Sequence, residues 1–324
     1  MRIDRKVLKG AARESMRGLH PSARMVTLVF LLLTSVLTGV VQMFVSNPFS
    51  QVTSMVMQGY DPQWVVSYLM TGNGVVIYVF VTILLAIYAS VMSFGYSAYC
   101  MRVSRGEESG YGTLFEGFSM VGRVILLNIL VVVFSCLWAL ALSIPVAIIG
   151  GLAMAFAGGL GVVIFIILYI AMIVGLFYFI LQYVLADYCL LDAPEAGCMA
   201  AIRTSKELMR GHKWEYFVLM LSFIGWVLLE IVLVLAGVGV GTLIGGAAAA
   251  EGGAVIGAGL GTLLGTLFAI PVELWLTPYQ NCTVVNFYDA LNGRNARTED
   301  SWDSDPWSAG PDNGNGQGND YPQL

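Results

Sequence analysis

Two glutamates stand inside long apolar stretches of this chain. Glu230 lies in the stretch 216–240 and Glu273 in 254–278. A charge at mid-bilayer depth costs at least ~2.5 kcal/mol on insertion scales and faces protein or water by default. Two chemistries fit such a pair. In one, Glu230 and Glu273 line a pathway for protons, cations or a polar solute, with Glu230 the deepest member. In the other, Glu230 is protonated and hydrogen-bonded to a neighbouring helix as packing glue, because a low dielectric penalises the ionised form. The second is preferred. Gly237 and Gly241 follow Glu230 by seven and eleven positions, while Gly257, Gly261 and Gly265 form a small-xxx-small ladder that ends eight positions before Glu273. Helical spacing therefore puts each acid on the face of its helix that should pack inward. Their depths are expected to differ, because Glu273 is near the end of its stretch.

Other chemistry is hard to assemble. A zinc or iron site needs His, Cys or carboxylates clustered at ligand spacing. The two histidines, His20 and His212, are far apart in the chain, and there is no C-x-x-C or H-E-x-x-H. The P-loop pattern is missing, which argues against ATP-driven transport by this chain alone. The glycine runs near 237 and 257 read G-x-G-x-G, the signature of close helix packing rather than of a dinucleotide loop. No nucleophile and base stand together. The expectation is a non-enzymatic protein without cofactor or metal. No basic stripe with interleaved aromatics appears, so nucleic acid is not an expected partner.

The elements that must position these residues follow from composition. The chain has 324 residues, 57% hydrophobic and 11% charged, with mean hydropathy +0.77. Soluble domains carry about 25% charged residues. Lipid is therefore the solvent for most of the length. A span of ~30 Å needs ~20 apolar residues, and six such stretches are present, at about 25–45, 74–96, 124–149, 160–186, 216–240 and 254–278. The third and fourth share one uncharged run, expected to break at Gly150–Gly159. The glycine-rich segment 241–253 should join the last two. Pro145 and Pro271 are candidate kinks. The expected fold is all-α: a polytopic bundle of six transmembrane helices with cytoplasmic amphipathic helices. Residues 1–24 would form a basic amphipathic segment, 25–290 the six-span membrane domain, and 291–324 an acidic tail without periodicity, disordered by composition.

Charge sets the orientation. Seven of the 16 Lys and Arg precede residue 25, and the other nine fall in the loops before spans three and five and after span six. The loops 46–73, 150–159 and 241–253 have none. By the positive-inside rule both termini are cytoplasmic. The first span is too long for the core of a cleaved signal and should remain as an anchor. Of the five cysteines, Cys100, Cys189, Cys198 and Cys282 sit at cytoplasmic ends and Cys136 within span three, so no disulfide is expected. The localisation expected is a cell membrane. The partners expected are the bilayer itself, with anionic headgroups at its cytoplasmic face, and membrane proteins.

In residues 3–17, Ile3, Val7, Leu8, Ala11 and Ala12 fall at helical spacing against Lys6, Lys9, Arg13 and Arg17, the pattern of an interfacial helix. Pro194 suits the first turn of a second such helix reaching about Met209. The string Arg13-Glu14-Ser15-Met16-Arg17-Gly18 before span one recurs as Lys206-Glu207-Leu208-Met209-Arg210-Gly211 before span five, with a looser Leu114-Phe115-Glu116-Gly117-Phe118 before span three. Three parallel repeats of amphipathic helix plus transmembrane hairpin would explain this; chance recurrence of basic strings at membrane edges is the alternative. The residues Lys206, Glu207, Met209 and Gly211, followed by Ser222-Phe223-x-Gly225-Trp226, resemble the signature of a bacterial membrane family known as domain of unknown function 975. Lys9, Arg13 and Gly18 resemble its opening, and Pro278-Tyr279 with Phe287-Tyr288 its end. The resemblance covers about 5–291. It implies a multi-pass bacterial membrane protein and no known reaction. The function expected is a scaffold, assembly or envelope-protection component; the alternative is a secondary transporter or permease for a small or amphipathic solute, with Glu230 and Glu273 in its path.

Overall fold

The computed structural model describes residues 5–45, 48–61, 63–65, 67, 73–248 and 253–293. The tail from Arg294, with Trp302 and Trp307, lies outside the described residues. The described elements are all helical. Helix α1 is Arg5–Ser15. Span one runs through α2 (Ala23–Leu31), a π segment Leu32–Val36 and α3 (Leu37–Phe44). Then come α4 (Pro48–Met57), α5 (Asn73–Arg105), a 3-10 turn Tyr111–Phe115, α6 (Glu116–Ser119) and α7 (Val121–Ile180). The remaining helices are α8 (Ala186–Asp192), α9 (Cys198–Leu208), α10 (Lys213–Leu221), α11 (Ile224–Ala248) and α12 (Gly253–Leu291). Six segments are long and apolar enough to cross a membrane: Ala23–Gln42, Gly74–Arg105, Val121–Phe156, Gly158–Asp192, Ile224–Ala247 and Ile256–Leu291.

The spans pair as three antiparallel hairpins. In the first, Tyr96 stacks on Phe30 at 4.4 Å and its hydroxyl shares a 2.8 Å hydrogen bond with Thr27, while Tyr88 donates to the Leu33 carbonyl at 3.1 Å. In the second, Trp138 stacks on Phe179 at 3.8 Å. Its two arms belong to one continuous helical run that reverses at Gly158, with φ 55 and ψ −125. Only a residue without Cβ enters that region cheaply. The break is therefore one residue, not the whole stretch Gly150–Gly159. The third hairpin is α11 with α12.

Several boundaries differ from the sequence expectation. Span five does not begin at Tyr216: α10 ends at Leu221 and a new helix starts at Ile224. At the break the Ser222 hydroxyl donates to the Leu219 carbonyl. The segment 241–253 is helical as far as Ala248, since small apolar residues in lipid satisfy their backbone only by continuing the helix. Pro145 and Pro271 both lie within helical runs, and the non-helical backbone inside α7 is at Gly158. Pro194 starts a 3-10 turn, Pro194–Ala196, and Gly197 at φ 83 delays the second amphipathic helix to Cys198.

Burial is concentrated at one end. The core gathers Leu8, Tyr99, Leu114, Leu127, Leu190, Met209, Phe223 and Tyr288, which come from α1, the C-terminal ends of spans two, four and six, the start of span three, and the segments between hairpins. Further along the spans, the residues buried are mainly small ones facing their own hairpin partner. Gly150 lies against Phe165, Gly161 against Ala153, and Gly253, Gly257, Gly261 and Gly265 against α11. Large side chains there, such as Ile167, Leu243, Leu263 and Phe268, stay exposed. The molecule is thus three hairpins held together at their charged end.

Candidate functional site

At the charged end the C-terminal residues of three spans meet. Arg105, the last residue of α5, reaches two carboxylates. Its Nη1 and Nη2 donate to Asp192 at 2.7 and 3.2 Å, and its Nη2 and Nε donate to Asp289 at 2.7 and 3.3 Å. Tyr288 donates to Asp192 Oδ2 at 2.8 Å. The three charged side chains are 19%, 12% and 7% exposed. The planar fork of a guanidinium can grip both carboxylates at once, which an ammonium cannot. Asp192 ends span four and Asp289 lies at the end of span six, so this contact fixes the three hairpins parallel to one another.

Each of these span ends also carries an amphipathic segment. The 3-10 turn Tyr111–Phe115 and α6 lie on α5, where a Cβ on Gly95 would meet the Leu114 carbonyl at 2.0 Å and one on Gly117 the Val91 carbonyl at 2.3 Å. Arg102 pairs with Glu116 across this seam at 2.8 Å. Helix α9 lies on the end of span four, and Ser205 donates to the Gln182 carbonyl at 2.8 Å. Helix α1 lies on span six: Asn286 donates to the Leu8 carbonyl at 3.2 Å, Lys9 sits 4.1 Å over the Phe223 ring, and Arg13 lies 5.4 Å from the Tyr279 ring. The N-terminal helix thus fills, against the last span, the place that its counterparts fill against spans two and four. Its apolar side is turned partly onto protein, with Leu8 and Ala12 buried and Val7 exposed. Burial and the neighbouring Arg13 and Arg5 hold the Lys9 ammonium below its usual pKa.

The two copies of the basic string take equivalent positions. Gly18 and Gly211 both have positive φ, 74 and 89. Each string lines a cavity at the charged end. One, of about 430 Å³, is bounded by Arg13, Arg17, Arg24 and Trp275. The other, of about 450 Å³, is bounded by Arg203, Lys206, Arg210, Lys213, Tyr178 and Gln182. Lys213 donates to the Tyr178 carbonyl at 3.1 Å and lies 3.7 Å over its ring. Burial and the adjacent Lys206 push the Lys213 pKa down. In the rest of the signature, Met209 and Phe223 are buried, Glu207 lines the second cavity, Gly225 is the second residue of α11, and Trp226 packs on Trp275 at 5.0 Å.

The intramembrane acids are close to each other. A Cβ on Gly237 would meet the Gly261 carbonyl at 2.3 Å, one on Gly241 the Gly257 carbonyl at 2.0 Å, and one on Gly245 the Gly253 carbonyl at 2.1 Å. Toward the charged end of the same pair Trp226 packs on Trp275, which puts Glu230, one turn beyond Trp226, on the same stretch of the hairpin as Glu273. Glu230 lies within electrostatic reach of Glu273, and its buried Oε1 has no hydrogen-bond partner among the described residues. Because α11 begins at Ile224, Glu230 is only about 9 Å into it, at 1.5 Å per residue. Both acids sit in the half of the hairpin nearer the charged end. Beyond them an apolar groove of about 650 Å³ follows the glycine seam between Leu233 and Phe268.

Sequence reasoning took Arg105 only as a topology marker and missed Asp192, Asp289 and Gln182. The signal was present in part, since a base and two acids terminate the three even-numbered spans. Among the described residues no group of three or more His, Cys, Asp and Glu could hold a metal ion. No curated protein and no solved structure matches the chain. A family model does match, over residues 1–295. The six apolar spans and the basic string with its following Ser222 to Trp226 segment lie inside that range, and the chain belongs to the family described as Protein of unknown function (DUF975).

Proposed function

We propose that this chain is a non-enzymatic scaffold, an assembly or envelope-protection component of a bacterial cell membrane, with both termini and its basic end in the cytoplasm. The observation that supports this reading is the distribution of packing. A solute path needs helices that close around it along their length, whereas here the three hairpins join through the core and the Arg105–Asp192–Asp289 contact at one end. Such a platform sits at the membrane surface, where its basic residues attract anionic headgroups by ~1 kcal/mol each. The hairpins beyond it present apolar faces to lipid or to membrane-protein partners. A permease is the second reading, favoured by the unpartnered Oε1 of Glu230 beside Glu273. Proteoliposomes with an imposed pH gradient separate the two. The scaffold reading expects no proton flux above empty vesicles, together with discrete adducts to membrane proteins from a photocrosslinker at Leu267 in cells. Proton flux that disappears in Glu230→Gln would replace it with the permease.

A further inference from the structure

We propose that the two cavities lined by the repeated basic string are binding sites for the phosphate group of anionic phospholipids. The site between span four and α9 carries the argument. Four cations face it, Arg203, Lys206, Arg210 and Lys213, against one carboxylate, Glu207. None of these four cations has a carboxylate within ion-pairing distance among the described residues. Gathering four like charges around one cavity is unfavourable unless an anion joins them. A second, independent feature points the same way. Gln182 lines the cavity, is 8% exposed, and its buried Nε2 has no hydrogen-bond partner among the described residues. A buried amide donor left unmet costs free energy, and a phosphate oxygen is the acceptor that also satisfies the surrounding cations.

The place selects a lipid over a free ion. Tyr178 and Phe134 form the apolar wall, on helices exposed to lipid, so a headgroup entering the cavity can leave its acyl chains against the spans. The second cavity repeats the design with Arg13, Arg17 and Arg24 beside Trp275. Its string shares the pattern basic-Glu-x-Met-Arg-Gly with Lys206–Gly211 and ends at a positive-φ glycine as that one does. In the remaining third, Arg102 is already neutralised by Glu116 at 2.8 Å, and no basic site is assigned there. The inference holds under either functional reading. It rests on the charged end lying at a membrane surface, which cysteine labelling tests separately.

The experiment is a lipid titration of the full chain in non-ionic detergent, read by native mass spectrometry. The probes are phosphatidylglycerol, phosphatidylcholine and inorganic phosphate. Two phosphatidylglycerol adducts are expected at concentrations at least tenfold below those needed for phosphatidylcholine or phosphate. Lys206→Gln with Arg210→Gln should weaken one adduct at least tenfold, and Arg13→Gln with Arg17→Gln the other. The charge-matched control, Arg5→Gln with Arg123→Gln, lines neither cavity and should keep both. Lys206 and Arg210 are exposed, so their neutralisation leaves the core intact. Gln182→Met changes no charge and should weaken only the first adduct, several-fold. Equal loss in the control, or equal binding of phosphatidylcholine, would mean diffuse attraction and overturn the proposal. Inorganic phosphate binding as tightly as the lipid would overturn the lipid assignment.

Discussion

Arg105 holds a position where one side chain joins three hairpins, and its removal leaves two carboxylates at 12% and 7% exposure without their cation. Breaking a buried pair from one side costs about 3–5 kcal/mol. Arg105→Met should therefore lower the melting temperature in detergent sharply, and Arg105→Lys should recover only part of it, because a point charge cannot grip both Asp192 and Asp289 bidentately. A variant that melts like the parent would remove this contact from the account. Glu230 gives the opposite expectation. Under the scaffold reading it should tolerate Glu230→Gln, which keeps its size and polarity, and Glu230→Leu should cost little, because even a membrane hydrogen bond averages only about 0.6 kcal/mol and the buried Oε1 makes none among the described residues. The measurement is rescue of a deletion phenotype at equal protein level. Failure of both variants would favour the permease. Residue types alone drew attention to Glu230, since a lone acid in an apolar run is visible in one dimension. The partners of Arg105 lie 87 and 184 positions away and are visible only when the chain is folded.

Among the elements, the α11–α12 hairpin depends on its glycines more than any other pair. A Cβ on Gly261 would stand 2.1 Å from the Gly237 carbonyl and 3.0 Å from the Gly241 Cα, both backbone atoms that cannot swing aside. Gly261→Leu should therefore separate the two helices and lower yield. Because this seam lies away from the core at the charged end, the change should open the hairpin to protease or crosslinker while the rest of the chain stays folded. Unchanged protection of α11 and α12 would show that the seam is not an interface. The ladder was legible in the sequence because small residues at spacing four mark one face of a helix whatever its partner. The break at Ser222–Phe223 was not. Hydropathy runs smoothly across it, and the contact made there comes from far along the chain: Lys9 Nζ donates to the Ser222 carbonyl at 3.4 Å from 213 positions away.

At the scale of the whole molecule, the parallel set of hairpins puts the described segments that carry Lys or Arg on one side. Cysteine labelling from outside should reach Gln63→Cys and not Ser109→Cys, and external labelling of the latter would overturn the orientation proposed here. Reversing Arg203, Lys206, Arg210 and Lys213 together should weaken or invert the insertion of the last hairpin, read by the same labelling at Ala249→Cys. Six spans, all-α architecture and a basic side were determined by the sequence alone. Insertion into lipid depends on hydropathy, length and flanking charge, which are local sums along the chain. The tertiary structure decided that, among the described residues, the hairpins join at their charged end, that α1 docks on the last span, and that the two basic strings line two cavities. In lipid an apolar surface does not report whether it faces a helix or an acyl chain, since burial against either costs water nothing. The contacts that choose neighbours are therefore the few polar and small residues whose partners are distant in sequence.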